Sequence, residues 1–189
     1  MVLEETDKAI IEACQRGESE AFRALFERYK NKVYSIALRY SGEHAVAQDI
    51  AQETFLKLFV GIKSFRNECD FTSWLYRVVV NSCLDQKRRK RHFTPLLDEV
   101  IAILPTPEVS VLDEVLRAEM NSHVREVVDS LRDEQRMILV LRYTQGLSYD
   151  AIAEILGSST GTIASRLSRI HKLLERRLIR FAHKQKEKR

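Results

Sequence analysis

Along the first ninety positions apolar residues recur at steps of three and four, the period of a helix with one buried face. Ala9, Ile10, Ala13 and Cys14 mark a short first helix, and Gly17 ends it. Ser19 is the predicted cap of a second helix. Its stripe is Phe22, Leu25, Phe26, Tyr29, Val33, Ile36, Ala37 and Tyr40, and Gly42 breaks it. A third helix is predicted over about 43–60, with Val46, Ala47, Ile50, Ala51, Thr54, Phe55, Leu58 and Phe59 on one face. A loop over 65–71 leads to a fourth, which carries Trp74, Leu75, Val78, Val79 and Leu84 and ends in Lys87-Arg88-Arg89-Lys90-Arg91. The second half predicts helices over about 113–130, 133–144, 148–156 and 160–180. Period-two alternation is scarce throughout, so the predicted class is all-α.

The three prolines, Pro95, Pro105 and Pro107, fall in one window. Proline removes a backbone donor and clashes with the preceding helical turn, so a cluster of them marks a break. The stretch 92–112 also has no Lys or Arg. Two small helical domains are therefore expected, 1–91 and 113–189, joined by a linker over 92–112. Leu96, Leu97, Val100, Ile101, Ile103 and Leu104 make that linker apolar enough to lie against a surface.

Composition narrows the class. In 189 residues, 44% are hydrophobic and 31% charged, which excludes low-complexity and wholly disordered chains. No run approaches 18 apolar residues, so no transmembrane helix is expected. The opening Met1-Val2-Leu3-Glu4-Glu5 is acidic and does not read as a signal peptide, which predicts a cytoplasmic protein. Cys14, Cys69 and Cys83 are odd in number and lack a CxxC pair, so they read as small apolar residues. No Gly-rich phosphate loop follows a strand, and the five His are scattered. No catalytic residue, metal site or cofactor is expected.

The sharpest local signal lies near the C-terminal end. Ala153, then Gly157 four later, then Ile163 six later, is the spacing of a helix-turn-helix. A small residue lets two helices cross closely, glycine permits the turn, and a β-branched residue seats the second helix on the first. Thr160 can cap the second helix. Ser165, Arg166, Ser168, Arg169 and Lys172 lie around its outer faces, able to reach bases or phosphates. The net charge of +4 looks mild, but its distribution does not. Residues 160–189 hold ten Lys/Arg against two acids, a net of +8, while the first 159 residues hold 21 basic and 25 acidic residues. Phosphate binding by counterion release calls for such a concentration. The run Lys87–Arg91, after a helix bearing Trp74, Tyr76, Arg77 and Asn81, is a second candidate. Asp49 and Glu53 stand at i and i+4 with Gln52 beside them, without a third metal ligand at suitable spacing. By their spacing they read as a solvated face or as a polar protein-docking face.

Four motifs in order resemble a known family. They are Gly17-Glu18-Ser19-Glu20-Ala21-Phe22; Ala47-Gln48-Asp49-Ile50-Ala51-Gln52-Glu53-Thr54-Phe55; Phe71-Thr72-Ser73-Trp74-Leu75-Tyr76-Arg77; and Gly146-Leu147-Ser148-Tyr149 with Gly161-Thr162-Ile163-Ala164-Ser165-Arg166. Over nearly its whole length the chain resembles a bacterial RNA polymerase sigma factor of the extracytoplasmic-function group, in the sigma-70 superfamily. The resemblance implies a non-enzymatic promoter-specificity subunit that binds core RNA polymerase and promoter DNA. Asp49, Gln52 and Glu53 would meet the beta-prime clamp helices, with Phe55 packing beneath, and the second domain would meet the beta flap. Phe65, Phe71, Trp74, Arg77, Asn81, Lys87 and Arg88 would melt and read the minus-ten element. Thr160, Thr162, Ser165, Arg166, Arg169 and Lys172 would read the minus-thirty-five element. An anti-sigma factor is expected to control it. A stand-alone helix-turn-helix regulator is the alternative. The chain departs from the family at Leu131-Arg132, where Leu-Pro is usual, at Ala151, where Glu is usual, and at Ala164 and His171, where basic residues are common.

Overall fold

The computed structural model describes residues 5–66, 70–86, 127–128 and 130–186. Seven α-helices and no strand are present among them. Helices α1 (Glu5–Gln15), α2 (Ser19–Ser41) and α3 (His44–Gly61) precede a 3-10 turn (Ile62–Ser64) and α4 (Phe71–Gln86). After the undescribed stretch come α5 (Asp133–Leu139), a π-helical turn (Val140–Thr144), α6 (Tyr149–Ile155) and α7 (Thr160–Lys186). The predicted linker, its prolines, Cys69, Lys87 and Arg88 lie outside the described residues.

In the first unit α2 packs along α3, α1 lies across α2, and α4 closes on α3. Within the predicted stripe of α2, Phe22 is half-buried and Phe26 exposed, while Leu25, Tyr29, Val33, Ile36, Ala37 and Tyr40 are buried. Each such side chain contributes about 1.5–3 kcal/mol when fully buried. Gly42 ends α2 in a left-handed conformation, φ 77°, and its N–H bonds to the Leu38 carbonyl at 2.7 Å. The expected cap at Ser19 differs: α2 begins at Ser19 itself, after Glu18, with no side-chain cap bond. Asp7 pins α1 to α2, accepting from the Tyr29 hydroxyl at 3.0 Å and pairing with Arg28 at 2.9 Å.

The second unit buries an aliphatic set. Met137, Ile138, Leu139, Val140 and Leu141 meet Ile152, Ile163, Leu167 and Ile170. Gln135 accepts from the Arg132 N–H at 3.1 Å and closes the start of α5 in the manner of a capping box. Five consecutive buried residues cannot all face one side of a helix. They are accommodated because the segment is covered from both sides, by α7 and, through the π turn, by α2 of the first unit. The two units thus pack together. α6 lies on α4, the Tyr76 hydroxyl donates to Gln145 Oε1 at 3.3 Å, and Arg77 pairs with Glu154 at 3.2 Å. Burial pushes the Tyr40 hydroxyl well above its usual range, opposed by the nearby Arg136 guanidinium from the other unit.

Candidate nucleic-acid interface

The helix-turn-helix is built as its spacing predicts. Ser148 caps α6, its Oγ accepting from the Ala151 N–H at 3.2 Å. Ala153 is buried at the crossing, and Gly157 takes φ 59° in the turn, where a side chain would be strained. The Ser158 N–H closes the turn on the Ala153 carbonyl at 2.8 Å. The cap of α7 is Ser159, whose Oγ accepts from the Thr162 N–H at 3.1 Å. Thr160, expected there, instead donates its hydroxyl to Asp150 Oδ1 at 2.6 Å. It lies one residue inside the helix, past the capping position.

Ile163, Leu167, Ile170 and Leu174 seat α7 on the core at helical spacing. The opposite rows carry Thr162, Ser165, Arg166, Arg169 and Lys172. Arg169 and Lys172 are exposed, and Ser165 back-bonds to the Thr162 carbonyl at 2.9 Å. Arg166 is held, its Nη1 donating to Glu134 Oε2 of α5 at 3.0 Å. His171 meets the Tyr143 hydroxyl. The predicted reading residues Thr160, Thr162, Ser165, Arg166, Arg169 and Lys172 therefore all lie on α7, with Arg166, Arg169 and Lys172 available to a groove or a phosphate.

The α3 face differs in kind. Asp49 and Gln52 are exposed, while Phe55 is buried against Phe26, centroids 4.6 Å apart. Glu53 pairs with Lys57 at 2.8 Å, and Lys57 reaches Asp85 of α4 at 3.2 Å. Burial alone would lower the Lys57 ammonium, but the bonds from Glu53 and Asp85 outweigh it and raise it. Beside these polar residues Leu56, Phe59 and Val60 stand 61%, 54% and 76% exposed. Phe59 was expected in the buried stripe with Leu58, but only Leu58 is buried. The run Phe55-Leu56 and Leu58-Phe59-Val60 carried the signal, since a helix that apolar has no single inward face. Phe22, Phe26, Phe55, Leu56 and Phe59 line an open groove there.

The minus-ten candidates divide. Phe71 is fully buried and Phe65 nearly so. With half-buried Trp74 they form a cluster with centroids 5.8, 5.0 and 5.7 Å apart. Gln15 fastens the loop's start by donating to the Phe65 carbonyl at 2.7 Å. Gly61 lets Trp74 lie close, since a Cβ there would meet its ring at 3.2 Å. In this structure both rings are packed into the core of the unit, where they shape the loop. Asn81 is exposed, and Arg77 is engaged by Glu154.

Cys14 and Cys83 are free and buried. Burial pushes both thiols up, reinforced at Cys14 by Glu18, so neither is a poised thiolate. Among the described residues no His/Cys/Asp/Glu cluster could hold a metal, and no helix is long and apolar enough to cross a membrane.

Together these features define an all-helical protein with a basic helix-turn-helix on one unit and an apolar, acid-edged face on the other. Known families agree with both halves. Sigma-70 region 2 matches residues 25–93, and Sigma-70, region 4 matches residues 123–174. The chain is 33% identical to the ECF RNA polymerase sigma-E factor of Haemophilus influenzae over 92% of its length and 95% of that protein's. It is 30% identical to the ECF RNA polymerase sigma factor SigW of Bacillus subtilis over 90% and 96%. The solved structure of CnrH, in complex with the cytosolic domain of CnrY, shares the fold with a TM-score of 0.64. It covers 90% of this chain and 96% of CnrH at 20% identity. The sigma factor RpoE of Bartonella quintana, in complex with the anti-sigma factor NepR, aligns at 25% identity with a TM-score of 0.56, covering 83% and 96%. The chain belongs to the extracytoplasmic-function group of RNA polymerase sigma factors, the subunits that direct promoter-specific transcription initiation.

Proposed function

We propose a division of labour within this sigma factor. Residues 1–91 dock on core polymerase and open the minus-ten element, 92–112 connect, and 113–189 read the minus-thirty-five element. The carrying observation is the contrast between an apolar, acid-edged α3 and a basic, outward-facing α7. Asp49, Gln52 and Glu53 meet the beta-prime clamp helices while Leu56, Phe59 and Val60 supply apolar contact. Arg166 and Arg169 reach base edges or phosphates, and Lys172 tracks the backbone. Trp74, Asn81 and Arg77 face the unstacked strand. The protein acts in the cytoplasm, catalyses no reaction alone, and is held in check by an anti-sigma factor. The sigma factor RpoE of Bartonella quintana, solved with the anti-sigma factor NepR, supports that last element.

The minus-ten and minus-thirty-five elements are separated by about 25 base pairs, or about 85 Å at about 3.4 Å per step. Arg77 and Glu154, on the two reading units, touch at 3.2 Å. The packed arrangement cannot reach both elements at once, so promoter engagement must part α6 from α4. The assay for docking is competition for core polymerase against the wild-type chain. Asp49→Lys and Glu53→Lys chains should compete poorly while keeping their helical content. Wild-type competition by both would refute the docking role.

A further inference from the structure

Arg166, in the middle of the outward face of α7, is held from another helix. Its Nη1 donates to Glu134 Oε2 at 3.0 Å, and its side chain keeps 34% exposure while Glu134 keeps 62%. A guanidinium has five N–H donors, so this bond leaves most of the fork free. A carboxylate on one edge restricts the rotamers of a long side chain and lowers the cost of ordering it on a ligand. It also places negative charge at the edge of a surface that otherwise attracts any phosphate. Asp150 repeats the pattern at the start of α7, accepting from Thr160 at 2.6 Å. Specificity is a difference of affinities, and disfavouring the wrong partner enlarges it as surely as favouring the right one.

We propose that Glu134 is a specificity-determining positioning residue: it orients Arg166 toward a base edge and penalises indiscriminate phosphate binding by α7. The inference rests on α7 reading the minus-thirty-five element. Glu134 itself need not touch DNA. A net charge of +8 over the last thirty residues would bind any duplex, and Glu134 makes productive contact depend on what Arg166 finds there.

The test uses the full chain assembled with core polymerase. The probes are a duplex selected by the wild-type holoenzyme from a random library, its single base-pair variants, and an unrelated duplex, each titrated over a range of salt. With Glu134→Ala, discrimination should fall at least about fivefold at the base pairs where Arg166→Ala also loses it. Affinity for the unrelated duplex should rise, and the salt dependence should steepen by about one unit in the log–log slope. Glu134→Gln keeps an acceptor for Arg166 but not the charge. It should retain more of the discrimination and show the same steepening. The pair is exposed, so thermal stability should stay close to wild type in both. Wild-type discrimination in Glu134→Ala, or an equal loss on every duplex, overturns the proposal. Unchanged discrimination in Arg166→Ala is a distinct outcome: it removes the α7 reading, and this proposal with it.

Discussion

The two units solve the same packing problem with different materials. The first is held by aromatic contacts: Phe22 on Phe59, Phe26 on Phe55, and the cluster of Phe65, Phe71 and Trp74. It leaves large apolar side chains at its surface, chiefly on α3. The second is packed by Ile, Leu, Val and Met, and its long α7 exposes Arg and Lys. An apolar surface patch is costly in water until a protein covers it, whereas a basic row is kept solvated and trades counterions for phosphates. The contrast supports the proposed division, with protein and unstacked bases for the first unit and duplex DNA for the second.

The strongest way to break this picture acts on the contact between the units. A chain carrying Arg77→Cys and Glu154→Cys, joined by a short cleavable thiol cross-linker, should lose promoter-directed initiation and regain it after cleavage. Initiation by the linked chain would show that the units need not part. Next in size is the aromatic core. Phe71→Ala should cost about 3–5 kcal/mol in urea unfolding followed by helical signal. A cost under 1 kcal/mol would mean that the cluster is not holding α4. Smaller is the loss at the DNA face, where Arg169→Ala should weaken holoenzyme binding to the minus-thirty-five duplex by about 1–3 kcal/mol without changing competition for core polymerase. Loss of both together would erase the contrast between the units.

Alkaline pH separates the units more gently. Burial, with the hydrogen bond to Asp7, raises the Tyr29 hydroxyl from 10.0 to about 12. The folded form thus favours the protonated phenol. Its contribution is fully present below pH 10 and declines as pH rises from about 10 to about 12. Urea midpoints measured from pH 8 to 12 should fall in that window, and Tyr29→Phe should flatten part of the fall. The smallest effect belongs to Arg77→Ala, an exposed pair, at about 0–1 kcal/mol of stability. Differential scanning calorimetry would register a larger loss as a change of Tm well beyond a few degrees.

Much of this was legible in residue spacing because helical period and burial coincide. Six of the eight positions of the α2 stripe and the row Ile163, Leu167, Ile170 are buried as their spacing requires, while Phe22 is half-buried and Phe26 exposed. Ala153 and Gly157 marked the turn for steric reasons that hold in any context. What escaped depends on choices between near-equal local solutions. Ser159 and Thr160 can each cap a helix, and Asp150 decides by engaging Thr160. Phe65 and Phe71 looked suited to unstacked bases, since an aromatic ring on a loop serves either a base or a core. The neighbouring Trp74 and the anchor from Gln15 commit them to the core. The packing of the two units, and the hold of Glu134 on Arg166, join positions 77 with 154 and 134 with 166, and no periodicity reports such distances.

The most direct test of the central claim is in-vitro transcription with core polymerase and this chain on a library of promoter duplexes. The expected result is initiation from a subset sharing a minus-ten and a minus-thirty-five element. It should be lost with Asp49→Lys through failed assembly, and weakened with Arg166→Ala only where the minus-thirty-five element is present. Binding of the chain to DNA without any stimulation of initiation would contradict it.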